Sequence, residues 1–259
     1  MENWILIIII AIGVFCTLKV AEKQNAKKQK QLIDSYEKSE YFLQTHIPYR
    51  MMISDRGRLG EYLIYSDLKL LCDYKRFLFN LYVQKPNGET TEIDVVMLHE
   101  TGIYVFESKN FSGWIFGNEN HMYWTQSLSL SRGRTEKHRF FNPIKQNMGH
   151  VKWLSAFLND PSLSFYPFVV FGDDCTLKDV TLTQSEQRVV CLNSLFQSVK
   201  SCFDDSTPRM PKEKIDELYD KLYPLTQADD AAKQNHIDNI NQIYGQPSAY
   251  PEYQDASNF

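Results

Sequence analysis

Apolar and polar positions along this chain fall into blocks of different period, and each change of period marks an element. Residues 4–18 are apolar apart from Thr17, and Lys19, Lys23, Lys27, Lys28 and Lys30 follow closely. Fifteen such residues in a helix span about 22 Å, short of the roughly 30 Å hydrocarbon core of a bilayer. Extension to Val20, with Lys19 snorkelling and local thinning, closes most of the gap. A cleaved signal peptide wants its positive charge before the apolar run and a small-x-small site after it; neither is present. The expectation is therefore one uncleaved transmembrane helix over residues 1–20. The lysine excess behind it places the N-terminus outside and the main domain in the cytoplasm.

Residues 21–55 are rich in good helix formers and read as a helical stalk or linker. An amphipathic helix over 56–71 carries Glu61. Strands are expected over 77–83, 91–98 and 103–109, with a turn at Lys85-Pro86-Asn87-Gly88. A second hairpin reads over 113–116 and 122–125, followed by a basic loop over 132–139. Residues 143–158 predict a helix with Pro143 at its start, and 165–171 and 188–192 are apolar enough for strands. From 193 to 244 the pattern is helical with breaks at Pro208, Pro211 and Pro224, and 245–259 is an aperiodic tail expected to be disordered. This order predicts an α/β fold with a central mixed sheet flanked by helices, preceded by the transmembrane helix and followed by C-terminal helices.

Composition narrows the class. The chain is 43% hydrophobic and 14% aromatic with a formal net charge of −4, which excludes an overall cationic coat. Nucleic-acid contact would have to be a local patch. Arg132, Arg134, Lys137 and Arg139 form the best such run, with a solvated loop as the plain alternative. Five scattered cysteines show no ligand spacing and fit a reducing compartment. The six histidines lack zinc-ligand spacing and are expected in satisfied surface or core roles. Trp124 and Tyr123 read as core rather than as base-stacking rings.

The chemistry concentrates in two apolar strands, each interrupted by a carboxylate. Glu107 and Lys109 lie two apart and share a strand face. If the loop joining the strands has an even residue count, Asp94 stands opposite Glu107 and Glu92 opposite Lys109, with Cβ atoms about 4.5–5.5 Å apart. Two carboxylates at that spacing can share a divalent cation. An odd loop would put Asp94 on the other face, and the plain alternative is a Glu107–Lys109 pair at an exposed strand end.

The ordered set Gly60-Glu61, Glu92-Ile93-Asp94, Gly102 to Asn110 with Glu107-Ser108-Lys109 inside it, Gly113, Trp124 and Asn142-Pro143-Ile144-Lys145-Gln146 resembles the nuclease-related domain (NERD) family, a branch of the PD-(D/E)xK nuclease superfamily. The resemblance covers residues 56–172, within a domain expected over 56–192. It implies a restriction-endonuclease-like core and Mg²⁺- (or Mn²⁺-) dependent hydrolysis of DNA or RNA phosphodiesters. It maps the family's site onto Glu61, Asp94, Glu107, Lys109 and Gln146 without departure. Asp94 and Glu107 would then be metal ligands and Glu61 a further or water-mediated one. Lys109 would position the attacking water and stabilise transition-state charge, and Gln146 would orient the water or a phosphate. Two other readings stand beside this one. The first is a non-catalytic nucleic-acid- or protein-binding module at the membrane. The second is a membrane-tethered structural protein that self-associates through its C-terminal helices.

Overall fold

A computed structural model describes residues 2–183, 188–203, 209–228 and 238, with backbone alone for 2–14, 16 and 17. The chain forms two compact units, Met1–Met51 and Met52–Phe259. In the first, α1 (Glu2–Glu37) is followed by α2 (Glu40–Thr45). Ser39 separates them, its hydroxyl accepting the N–H of Phe42 as an N-cap. The Tyr36 and Tyr41 rings are buried, and the Tyr36 hydroxyl donates to the Ile47 carbonyl at 2.7 Å. The apolar run of residues 4–18 lies on α1, but apart from Phe15 and Leu18 its side chains are outside the described residues. Among the described residues, no helix is long and apolar enough to cross a membrane. α3 (Tyr49–Ser54) carries the chain into the second unit.

The second unit begins with α4 (Arg56–Leu68), capped by the Asp55 side chain. β1 (Lys75–Gln84), β2 (Thr90–His99) and β3 (Gly102–Lys109) follow. Gly88, at φ 85°, closes the turn between β1 and β2, a conformation that glycine adopts freely. β4 (Gly113–Asn118), β5 (Tyr123–Ser129) and β6 (Thr135–Phe141) come next, then α5 (Pro143–Leu158). Asn142 caps α5 by accepting the N–H of Ile144, and Asn159 ends it at φ 50°. β7 (Phe165–Phe171), β8 (Cys175–Thr181), β9 (Arg188–Cys191), α6 (Leu192–Lys200) and α7 (Lys212–Leu222) complete the described strands and α-helices, and a 3-10 turn, Tyr223–Thr226, follows.

The strands form two mixed sheets, β1-β2-β3-β7-β9 and β6-β5-β4-β8. The α/β fold with mixed sheets flanked by helices is present, built on two sheets where one central sheet was expected. The chain leaves the first sheet after Lys109, builds β4 to β6 of the second, returns through α5 to place β7 parallel to β3, then adds β8 to the second sheet and β9 to the first. The basic stretch expected as a loop is largely strand β6, paired with β5 along its whole length. Its alternation hides His138 and Phe140 while exposing Lys137 and Arg139, a period that the charge run obscured. β8 is polar enough that no strand was expected there. Of the C-terminal helical region, α6 and α7 are described, whereas the stretch from 229 and the tail 245–259 lie outside the described residues apart from Asp238.

The main core lies between the first sheet and α5 and α7, and it exposes an irregularity. Its β1 members are Leu78, then Leu81 and Val83; its β2 members are Ile93, then Val96 and Leu98. Phe77 and Phe79 instead meet Tyr65 of α4 on the opposite face. Both strands therefore change facing parity at one level, between the Phe79–Val95 and Leu81–Ile93 pairs. Asn80 sits there with φ 52°, a left-handed conformation that asparagine tolerates better than most residues. Asp94 lies across from it.

Candidate active site

The β2–β3 hairpin turns through Glu100 and Thr101, so its loop is even, and Val95 pairs with Phe106 in the register that an even loop gives. The ladder ends at that pair. Beyond it the strands fork, and the Asp94 side chain fills the gap: its Oδ2 accepts the backbone N–H of Ser108 at 2.8 Å. Direct opposition of Asp94 to Glu107 and of Glu92 to Lys109 is thus replaced by a fork. Glu92 accepts the Tyr82 hydroxyl at 2.7 Å.

Glu107 is 1% exposed and held from both sides. Its Oε1 takes the Lys109 ammonium at 2.5 Å, and its Oε2 meets His150 Nε2 at 2.9 Å. An ionised carboxylate only accepts, so Nε2 carries the proton, and in the neutral ring Nδ1 accepts the Thr91 hydroxyl, 2.8 Å away. Lys109 also donates to Gln146 Oε1 at 3.3 Å. Gln146 and His150 lie four apart on α5 and so reach the same strand end. The Glu107–Lys109 pair is therefore a buried, networked one and not a solvated strand terminus.

Glu61 enters from α4. Gly60 brings that helix against β3: a Cβ there would collide with the Ser108 hydroxyl oxygen. Arg56, the first residue of α4, donates to the Asn110 carbonyl at 2.9 Å, and the Asn110 amide returns a bond to the Arg56 carbonyl at 3.0 Å. These contacts fix Glu61 close enough that its charge acts on Asp94.

Burial first, and then the charges of Glu107 and Glu61, hold the Asp94 carboxyl well above the usual carboxylate range. Burial also pushes Glu107 upward, but Lys109 and His150 outweigh it and leave that carboxyl below its usual range. The Tyr82 hydroxyl is raised by burial and by Glu92, Glu61 and Asp94 together. Three strand and helix carboxylates thus share one electrostatic neighbourhood. The donor set is all oxygen, which suits a hard cation. Among the described residues, no group of three or more acidic, histidine or cysteine side chains forms a ready metal cage. A hard cation such as Mg²⁺ would retain several waters and need one or two protein carboxylates. The mutual repulsion at Asp94 is what such a charge would relieve.

The structure thus brings Asp94, Glu107, Lys109 and Gln146 together and couples Glu61 to them. His150 and Thr91 were missed; the four-residue step from Gln146 to His150 was the available signal. Asn142 is structural, its amide donating to the carbonyls of Glu119 and His121 at 2.9 and 2.7 Å. Arg132, Arg134, Lys137 and Arg139 belong to the second sheet, along β6 and the hairpin tip before it. Trp124 is core, at 1% exposure, but Tyr123 is not, at 39%.

A model of the nuclease-related domain, NERD, matches residues 56–172. An uncharacterized protein of Bacillus anthracis is 30% identical over 184 residues, spanning 70% of this chain and 82% of that protein. The crystal structure of the protein of unknown function AF1548 aligns with 74% of this chain and 100% of its own at 15% identity, with a TM-score of 0.26.

Proposed function

Because the chain belongs to the nuclease-related domain family, we propose that it is a membrane-anchored, cytoplasm-facing nuclease that hydrolyses DNA or RNA phosphodiester bonds with Mg²⁺ or Mn²⁺. The observation that carries the reading is the forked strand end, where Asp94 and Glu107 converge with Lys109 under the influence of Glu61. Asp94 and Glu107 would hold the cation, with Glu61 as a further or water-mediated ligand. When bound, such a cation polarises the phosphate and lowers the pKa of a water.

The protein's own groups supply the rest. Lys109 places a positive charge beside the reacting phosphate, where it stabilises the charge that grows in the transition state. Gln146 holds that ammonium from α5. His150 and Thr91 fix the orientation of the Glu107 carboxylate, as outer partners of a ligand do. Anchoring rests on the apolar run of residues 4–18 and the lysines behind it. The exposed Cys72 reports on topology: a membrane-impermeant thiol reagent should label it only after the cells are permeabilised.

The purified full chain, with Mg²⁺ or Mn²⁺, should cleave labelled single- or double-stranded DNA or RNA above an Asp94→Asn blank. One observation favours a second reading, a binding module that keeps the fold. Both Glu107 oxygens are already engaged, by Lys109 and His150. Absence of cleavage above the blank on every substrate would install that reading instead.

A further inference from the structure

The second sheet has two unlike faces. One packs Ile115, Trp124 and Phe140 into a small core. Strict alternation turns the neighbouring residues of β4, β5 and β6 the other way. On that open face Trp114 stands opposite Ser127, which is buried, and Ser127 stands opposite the exposed Lys137; the half-buried Phe116 and Thr125 and the exposed Arg139 form the next row. Trp114 is 52% exposed and Tyr123 is 39% exposed. Lys178 of β8 lies over the Trp114 ring at 5.1 Å, and Arg139 over the Tyr123 ring at 4.8 Å.

We propose that this open face is a stacking platform for a single-stranded polynucleotide, with Trp114 and Tyr123 taking bases and Lys137, Arg139 and Lys178 taking phosphates. The inference rests on the reading of the chain as acting on nucleic acid, and it names the strand state.

Charge complementarity selects the occupant. The whole chain is acidic at −4, yet this face gathers three cations, and among the described residues none of the three is paired with a carboxylate. The acid that the register brings to the face is Asp179, opposite Phe116 at the far edge. Two large rings left in water, each beside a cation, match a ligand that alternates flat apolar surfaces with negative charge. A single strand offers both, because every base has a π-face to stack on an aromatic ring. In a duplex the base faces are covered by their neighbours, and only edges and phosphates remain. The Arg139 guanidinium is itself planar and can extend the platform. Arg132 and Arg134, at the exposed β5–β6 tip, would continue the phosphate track past Lys137.

The test is fluorescence anisotropy on the full chain in mild detergent, with EDTA so that nothing is cleaved. The probes are labelled oligothymidylate and oligouridylate of about 20 nucleotides and a duplex of the same length. Single strands should bind about tenfold or more tighter than the duplex. Trp114→Ala and Tyr123→Ala should each weaken single-strand binding by roughly 5- to 100-fold, whereas Trp114→Phe should retain it. Lys137→Ala with Arg139→Ala should reduce the slope of log affinity against log salt by about 1.4, at about 0.7 per phosphate contact. Equal binding of duplex, indifference to Trp114→Ala in a folded variant, or no binding of any strand overturns the platform. The two readings fail separately. Ring-dependent binding without cleavage by the wild type would sink the nuclease reading alone, and cleavage with ring-independent binding would sink the platform alone.

Discussion

Oδ2 of Asp94 accepts the backbone N–H of Ser108 at 2.8 Å, at the level where the β2–β3 ladder has stopped. A carboxylate takes the place of a strand carbonyl, and it does so beside Glu107 and within the field of Glu61. The fork is therefore held open by a group whose ionisation is opposed by everything acidic around it.

Asp94→Asn keeps an acceptor for Ser108 and removes that opposition. The folded-state pKa of Asp94 is raised, so ionising it costs the metal-free chain stability as pH rises through the raised range. Urea unfolding in EDTA should show wild type and variant alike near about pH 4 and the variant more stable by about pH 8. Glu107 has the opposite sign: its contribution is present above its unfolded pKa and lost as pH falls through the depressed one. A variant no more stable than wild type at the higher pH would contradict the coupling.

Millimolar Mg²⁺ or Mn²⁺ should raise the melting temperature of the full chain. Occupancy at a hundred times Kd stabilises by about 2.7 kcal/mol. Asp94→Asn with Glu107→Gln should abolish the shift. Because the cation must displace a proton from Asp94, its affinity should fall about tenfold per pH unit below that group's pKa. Calorimetric titration across pH measures the slope, and a flat profile would count against Asp94 as a ligand.

Lys109→Met retains the apolar stem and deletes the charge. Cleavage should drop by about 10²- to 10³-fold, the usual effect of removing a group aimed at developing negative charge. Lys85→Met, in the β1–β2 turn beside Glu89, is the control and should leave cleavage unchanged. Full activity of the Lys109 variant would remove that residue from the proposed chemistry.

His150 acts through Glu107. His150→Ala frees one Glu107 oxygen and strands the Thr91 hydroxyl, so metal affinity should fall about 10- to 100-fold, as for other outer-shell partners. His150→Gln, which can still donate to Glu107, should recover part of it. If both variants bind metal as wild type does, His150 is only a packing residue.

Much of this was legible in the sequence because the features that set it are local. The strand order was legible, and Pro143 with Asn142 marks the start of α5; the parity of the loop at Glu100-Thr101 was left open, because β2 and β3 are buried on both faces near the turn and carry no alternation to fix it. The split into two sheets was not legible, since alternation shows which residues pair across a hairpin but not which sheet receives it. The basic charges of β6 masked its period. The fork at Asp94 depends on a parity change in both β1 and β2, and its sequence trace is one asparagine, Asn80, in an otherwise ordinary strand. His150 was hidden because a partner on a helix is found by its face, and that face becomes meaningful only once α5 is laid on β3.

Gly60 shows how that laying-down constrains genetics. Its backbone lies where a single added carbon would collide with the Ser108 hydroxyl, and Ser108 is also the residue that anchors Asp94. Gly60→Ala would force the Ser108 side chain aside and crowd the Asn110 Cβ, disturbing the seat of α4, and so of Glu61, on β3. A mutational screen scored only on activity would rank this glycine with the carboxylates, although it has no side chain with which to do chemistry.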